Sequence, residues 1–134
     1  MENEVIVKIG KEKYQTEVQI GKHHIIVDEP EEMNGKDLGP KPTTLLLSSL
    51  GTCKAITMKM YADMKNWPLE GIEIALDHSI DKTDNQHITN ISIQIKLLGD
   101  LDEVQKERIL KVSEKCPVQK ILSNPIQIST NMIQ

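Results

Sequence analysis

Short apolar runs alternate with charged breaks over the first part of the chain. The runs are VIVKIG, YQTEVQI and HHIIVDEP, and the breaks fall at 10–13 and at Gly21-Lys22. Alternating Val and Ile are typical of half-buried strands, and glycine beside charged residues is compatible with a tight turn. The pattern therefore predicts three short strands joined as an antiparallel meander.

A long helical pattern follows a connecting loop over 29–41. Pro42 can occupy the first helical turn, where its missing N–H is not needed, and the helix is predicted from Thr43 to about Lys65. Apolar or small positions recur every three or four residues and predict one buried stripe. Its members are Leu46, Leu50, Cys53, Thr57, Met60 or Tyr61, and Met64. The segment Asn66-Trp67-Pro68 ends this central helix.

The second half of the chain predicts a hairpin, a second helix and a closing strand. Alternating apolar residues favour strands at 72–80 and 88–97, with a turn at 81–86 and an irregularity near Thr89-Asn90. Asp100 or Asp102 can cap a helix that runs to about Lys115, and Pro117 kinks or restarts it over 118–122. The last predicted strand contains Ile126, Ile128 and Thr130. The order β-β-β-α-β-β-α-β predicts an α+β fold in which a long helix packs on an antiparallel sheet.

Composition narrows the class of protein. The 134 residues fit a single domain, 1–134, because one core typically serves about 100 to 150 residues. A net charge of −4 argues against a nucleic-acid surface, and the absence of phenylalanine removes most aromatic stacking. No apolar stretch approaches the roughly 18 residues of a membrane span, and no export signal is visible. We therefore expect a cytoplasmic protein with no nucleic-acid or membrane partner.

Two cysteines carry the candidate chemistry. Cys53 lies in the central helix, and Cys116 precedes a proline in KCPVQKIL. In a reducing compartment, two thiols are more typical of catalytic, transient or inert roles than of a permanent disulfide. The alternative for Cys53 is a small core residue, and for Cys116 a residue packed at a helix end. The four histidines show no zinc spacing and no cofactor motif is present, so neither a metal nor a cofactor is expected.

Several motifs, taken in order, resemble the OsmC/Ohr family, and most of all its YhfA-like branch. They are a Gly-Pro-x-Pro entry, a cysteine eleven residues after its second proline, a Trp-Pro-Leu-Glu-Gly turn and a late Cys-Pro-Val. The resemblance implies a two-layer α+β fold, built as an intertwined homodimer with active sites at the subunit interface. It also implies a thiol peroxidase that reduces organic hydroperoxides and is reset by a dithiol reductant. Cys53 matches the peroxidatic cysteine of this family, and Cys116 matches the resolving cysteine.

The chain departs from the family at the groups that activate the thiol. Active members place an arginine beside the thiolate, held by a glutamate near the start of the central helix. Here the single arginine is Arg108, on the second helix, and Thr43 and Thr44 occupy the positions of that glutamate. The cation could instead come from Lys11, Lys13, Lys22, His23 or His24. Gln119 stands where related sequences often carry a histidine.

Two functions follow from these observations. The first is a hydroperoxide reductase that acts through Cys53 and Cys116, with weak activity or none if no cation replaces the arginine. The alternative is a non-catalytic stress protein that binds a small apolar ligand, since any pocket would be lined by Leu, Ile, Val and Met. A lysine or arginine within about 4 to 6 Å of the thiol would favour catalysis.

Overall fold

The computed structural model of the protein describes residues 4–83 and 85–133. This part of the chain contains β1 (Val5–Ile9), β2 (Thr16–Ile20), β3 (His23–Val27), α1 (Pro42–Lys65), β4 (Gly71–Thr83), β5 (Gln86–Leu98), α2 (Glu103–Val112) and α3 (Pro117–Ser123). Short 3-10 turns lie at Glu31–Met33 and Ser113–Lys115. The chain divides into two compact units, one up to Leu46 and the other from Leu47. The predicted α+β class is confirmed.

The first unit contains the antiparallel meander. β1 pairs with β2 from Val5↔Ile20 to Ile9↔Thr16, and β2 pairs with β3 from Thr16↔Val27 to Ile20↔His23. Gly21, with a φ of 58°, supplies the left-handed backbone of the turn between β2 and β3. The three predicted strands are thus confirmed, each shorter than its apolar run.

The Asp28 carboxylate organises the loop that follows β3. It accepts hydrogen bonds from the backbone N–H groups of Glu29 at 2.8 Å, Lys36 at 3.4 Å and Leu38 at 3.2 Å. Asp28 itself is 1% exposed. The three N–H donors compensate the charge of this buried carboxylate, and the same hydrogen bonds order the loop backbone.

The long helix α1 has the bounds that the sequence predicts. It begins at Pro42 and ends at Lys65, where Asn66 adopts a left-handed φ of 57°. The backbone N–H of Trp67 donates to the Ala62 carbonyl at 2.9 Å and completes the last turn. Asparagine tolerates this conformation at a helix end, and the proline that follows cannot continue the helix.

The buried stripe of α1 differs from the predicted one. The buried residues of the helix are Leu50, Gly51, Lys54, Met58 and Ala62. Leu46, Met60 and Met64, which the periodicity placed on the stripe, are 48%, 67% and 68% exposed. Both faces of the helix are apolar, so periodicity alone does not identify the face that meets the sheet. The packed face also includes a lysine, which a hydrophobic pattern does not count.

The second unit has its core between α1, α2 and the hairpin β4–β5. The buried cluster consists of Met58, Ala62, Leu69, Leu101 and Ile109, and the partly buried Tyr61, Trp67, Ile72, Ile74, Ile95 and Leu97 pack against it. A Cβ on Gly51 would lie 2.6 Å from Leu76 Cδ1, so the missing side chain allows the helix to approach β4 closely. A helix packed on an antiparallel sheet is the predicted arrangement.

The hairpin is longer and more regular than predicted. β4 and β5 pair without interruption from Gly71↔Leu98 to Thr83↔Gln86. The predicted irregularity near Thr89-Asn90 is therefore wrong, because these residues pair in register with Ile80 and Ser79. The predicted turn at 81–86 is shorter than expected, and its residue 84 lies outside the described residues. Polar residues in this segment extend the strands instead of ending them, since both faces are exposed there.

The C-terminal part differs from the prediction in its last element. Asp102 caps α2 with a reciprocal capping box, and Pro117 starts a new short helix, as the sequence predicts. The closing strand that was predicted to contain Ile126, Ile128 and Thr130 does not form, and residues 124–133 are exposed. A strand needs a neighbour for its backbone hydrogen bonds, and no strand in the described part of this chain pairs with the segment.

Candidate active site

Cys53 lies on α1 about three turns from the start of the helix. It is half-buried, beside the buried stripe, and is a free thiol. Its backbone carbonyl accepts a hydrogen bond from the Thr57 hydroxyl at 2.8 Å in addition to its place in the helix. Because the helix dipole acts mainly within the first turn, charge at this position must come from neighbouring side chains.

Cys116 lies at the N-cap of α3 and is 0% exposed. Its backbone is extended (φ −70°, ψ 138°), and Pro117 follows at the first helical position. The sulfur accepts a hydrogen bond from the backbone N–H of Gln119 at 3.2 Å. The Cys-Pro sequence thus creates a helix start at which sulfur replaces the usual oxygen cap.

The fold brings the two thiols together. Cys53 on α1 and Cys116 on α3 are close enough for the Cys53 side chain to act on the Cys116 thiol and raise its pKa. Both cysteines are free in this structure. The site therefore consists of one half-buried thiol in contact with one that solvent does not reach.

A buried lysine adjoins the thiol pair. Lys54, directly after Cys53, is 5% exposed. Its Nζ donates to the Ser113 carbonyl at 3.2 Å and to Gln119 Oε1. The same Gln119 donates its backbone N–H to the Cys116 sulfur, so one residue links the ammonium group to the thiol site.

The groups around Cys116 shift the pKa of its thiol in opposite directions. Burial raises the pKa of the Cys116 thiol above its ordinary value, and Cys53 adds to the rise through its hydrogen bond and its charge. The N–H of Gln119 and the charge of Lys54 act to lower that pKa.

Sequence reasoning did not identify Lys54 as a site residue. The candidate cations Lys11, Lys13, Lys22, His23 and His24 are all exposed residues of the first unit, and Arg108 is exposed on α2. Gln119 stands where related sequences often carry a histidine, and the sequence does not predict its contact with a lysine. The signal that could have found Lys54 is its helical spacing with Leu50, Met58 and Ala62.

An apolar groove lies between α1 and the start of β4. It has a volume of about 320 Å³ and is lined by Ala55, Ile56, Lys59, Met60, Gly71 and Ile72. Across residues 4–83 and 85–133, no three His, Cys, Asp or Glu side chains are arranged to hold a metal ion. In the same residues, no helix is long and apolar enough to cross a bilayer.

The fold and the site together define an α+β protein with a paired-thiol site. The sequence model of the family described as OsmC-like protein matches residues 35–131, and the chain belongs to this family. No curated protein matches the chain.

Solved structures share the fold at low sequence identity. An OsmC-like protein from Mycoplasma pneumoniae has 20% identity and a TM-score of 0.75, with 92% of this chain and 88% of that chain covered. An organic hydroperoxide resistance protein OsmC from Legionella pneumophila has 18% identity and a TM-score of 0.64, with 87% and 86% covered. An organic hydroperoxide resistance protein from Elizabethkingia anophelis has 15% identity and a TM-score of 0.64, with 87% and 84% covered. At these identities, the likeness establishes the fold.

Proposed function

We propose that this protein is a thiol-dependent hydroperoxide reductase, with Cys53 as the peroxidatic cysteine and Cys116 as the resolving cysteine. The observation that carries the proposal is that the fold brings two thiols from different helices close enough for Cys53 to act on the Cys116 thiol. The names of the neighbours from Legionella pneumophila and Elizabethkingia anophelis, both organic hydroperoxide resistance proteins, favour the same substrate class. The buried cation Lys54 supports catalysis over a wholly aliphatic site.

The reaction consumes one hydroperoxide and oxidises both thiols. The Cys53 thiolate attacks the terminal oxygen of the hydroperoxide, the O–O bond breaks, and the alcohol leaves after taking a proton. Cys53 is then a sulfenic acid. Cys116 attacks the Cys53 sulfur, the S–O bond breaks, and the hydroxide leaves as water with a proton. A dithiol reductant supplies two electrons and two protons to restore the thiols.

We assign the reaction to a homodimer in the cytoplasm. Ile56, Met60 and Met64 leave one face of α1 apolar and exposed in the single chain, and a second copy would cover it. A reducing compartment would supply the dithiol that the cycle needs.

The first test is the role of Cys53. In stopped-flow measurements, the reduced protein should react with cumene hydroperoxide faster than free cysteine does, and Cys53→Ser should lose this reaction completely because no other thiol is accessible. A wild-type rate equal to that of free cysteine would contradict the proposal.

Cys116→Ser separates the second step from the first. In this variant, peroxide should still oxidise Cys53, and the sulfenic acid should persist long enough to react with dimedone, because its resolving partner is missing. The wild-type chain should instead lose both free thiols and two hydrogen atoms of mass. Wild-type protein that keeps the Cys116 thiol after peroxide treatment would argue against the resolving role.

The rival function is the binding of a small apolar ligand in the groove between α1 and β4. Its volume of about 320 Å³ and its apolar lining favour this second candidate. Binding without chemistry predicts that Cys53→Ser leaves ligand affinity unchanged, measured by calorimetry with cumyl alcohol. A peroxidase predicts that the same substitution abolishes turnover.

A further inference from the structure

Lys54 is a buried cation whose direct hydrogen-bond partners are neutral. Burying an ammonium group is costly unless an anion or several acceptors compensate it. The two acceptors of Lys54 are the Ser113 carbonyl and the Gln119 side-chain oxygen. Among residues 4–83 and 85–133, no carboxylate forms an ion pair with it. Its positive charge is therefore available to an anion formed nearby.

The sulfur of Cys116 is where such an anion forms. Cys116 and both acceptors of Lys54 belong to one stretch of chain, from the 3-10 turn at Ser113–Lys115 into α3. The charged groups that this stretch adds, Glu114, Lys115 and Lys120, are exposed, and the titratable groups that act on Cys116 are Cys53 and Lys54. Solvent does not reach this environment, so the charge of Lys54 acts on the Cys116 sulfur with little screening.

We propose that Lys54 is a positioning residue for the resolving step: its ammonium group stabilises the negative charge of the Cys116 sulfur when Cys116 attacks oxidised Cys53 and when Cys116 leaves the disulfide. This inference rests on the proposed function. Lys54 acts on the reaction through Cys116. It has no role in the attack of Cys53 on the hydroperoxide.

The order of the two oxidation steps follows from the charges. Before oxidation, burial and the neighbouring Cys53 raise the pKa of the Cys116 thiol. When the reacting Cys53 thiolate becomes a neutral sulfenic acid, its negative charge is removed, while Lys54 and the Gln119 N–H remain. Ionisation of Cys116 is therefore favoured once Cys53 has reacted, when a thiolate is needed for the attack.

The same cation serves the reduction of the disulfide. An incoming dithiol can reach Cys53, which is half-buried, whereas Cys116 is 0% exposed. Attack on the Cys53 sulfur breaks the disulfide, its electron pair passes to Cys116, and a mixed disulfide with Cys53 remains. The second thiol of the reductant then releases Cys53, and Cys116 takes up a proton. A leaving thiolate that is stabilised leaves faster.

The test follows the two oxidation steps separately in the full-length protein. The protein reacts with one equivalent of cumene hydroperoxide at a series of pH values between about pH 6 and about pH 9, and samples are quenched by alkylation. The sulfenic acid and the disulfide are then measured by mass spectrometry. In Lys54→Met, disulfide formation at neutral pH should be about tenfold slower, and its pH midpoint should rise by about one unit, since one pKa unit is tenfold in ionisation.

A second variant keeps the lysine and changes its charge balance. Gln119→Glu places a carboxylate on Lys54, which should neutralise it and slow disulfide formation with the same upward movement of the pH midpoint. Lys111→Met, which removes an exposed lysine of α2, is the matched control and should leave both steps unchanged.

The outcomes separate this inference from the proposed function. Wild-type protein that forms neither sulfenic acid nor disulfide would overturn both. Wild-type protein that forms the disulfide, together with variants that keep its rate and pH midpoint, would overturn the role of Lys54 alone. If Lys54→Met does not fold, as judged by thermal unfolding, Gln119→Glu decides the question.

Discussion

The Asp28 carboxylate is a single side chain that determines the conformation of a loop. Burial on its own raises the pKa of Asp28, but the N–H groups of Glu29, Leu38 and Lys36 and the charge of Lys36 outweigh burial, and the pKa lies below its ordinary value. The ionised form is therefore favoured by folding. Its contribution to stability is present above the ordinary pKa of about 3.9 and is lost as the pH falls through the lowered value.

Asp28→Asn should lower the urea midpoint of unfolding at neutral pH. The amide keeps one acceptor oxygen, so either the Glu29 N–H or the N–H groups of Lys36 and Leu38 lose their partner. The difference from wild type should shrink in acid, where the wild-type carboxylate is also protonated. Asp37→Asn, an exposed change in the same loop, is the control, and an equal effect of both substitutions would contradict this account.

Among single residues, the sequence predicts Cys53 and Cys116 as the site because each lies in a distinctive segment, and their roles stay predictions. It was not enough to identify Lys54. A lysine is ordinarily exposed, and its burial here depends on acceptors from Ser113 and Gln119 that become neighbours only in the folded chain. Periodicity treats the position as polar and so assigns it to the wrong face.

Among the elements, α2 depends on its first turn. The Asp102 side chain accepts from the Gln105 N–H at 2.8 Å, and the Gln105 side chain accepts from the Asp102 N–H at 3.0 Å. Asp102→Ala should lower the free energy of unfolding by about 1 kcal/mol, because the Gln105 N–H at the helix start loses its partner.

Asp100→Ala is the control for the loss of charge near α2. It removes an exposed carboxylate two residues before the cap and should change the free energy of unfolding by less than about 0.5 kcal/mol in urea titrations. Equal costs for the two substitutions would show that charge, and not the capping box, stabilises the helix.

Element bounds followed from the sequence where local chemistry fixes them. Pro42 and the Asn66-Trp67-Pro68 segment delimit α1 because proline and left-handed asparagine act locally. The hairpin register near Thr89 and the strand expected around Ile128 depend on partners, and there the predictions failed. The hydrogen-bonded pairing of a sheet depends on both strands, so the residue pattern of one strand does not determine its partner or its register.

For the whole molecule, the apolar face of α1 makes assembly testable. Met60→Glu puts a charge at a residue that is 67% exposed in the single chain. In the proposed homodimer this residue is covered, so the substitution should weaken dimerisation by at least about tenfold because an unpaired charge would be buried. Sedimentation velocity over a concentration series measures the effect.

Val104→Glu provides the comparison for that experiment. Val104 is 60% exposed on α2, so the substitution adds the same charge to another apolar site. The control should leave the sedimentation profile of the wild type unchanged. A wild-type protein that sediments as a monomer at all concentrations would remove the basis for the homodimer.

The last residues of the chain lie bare, with Ile128 85%, Met132 93% and Ile133 90% exposed. In the proposed homodimer, part of this apolar C-terminal segment is buried against the second copy, so the same surface contributes to folding and to association. Dilution would then destabilise the fold, and the melting temperature would rise with protein concentration.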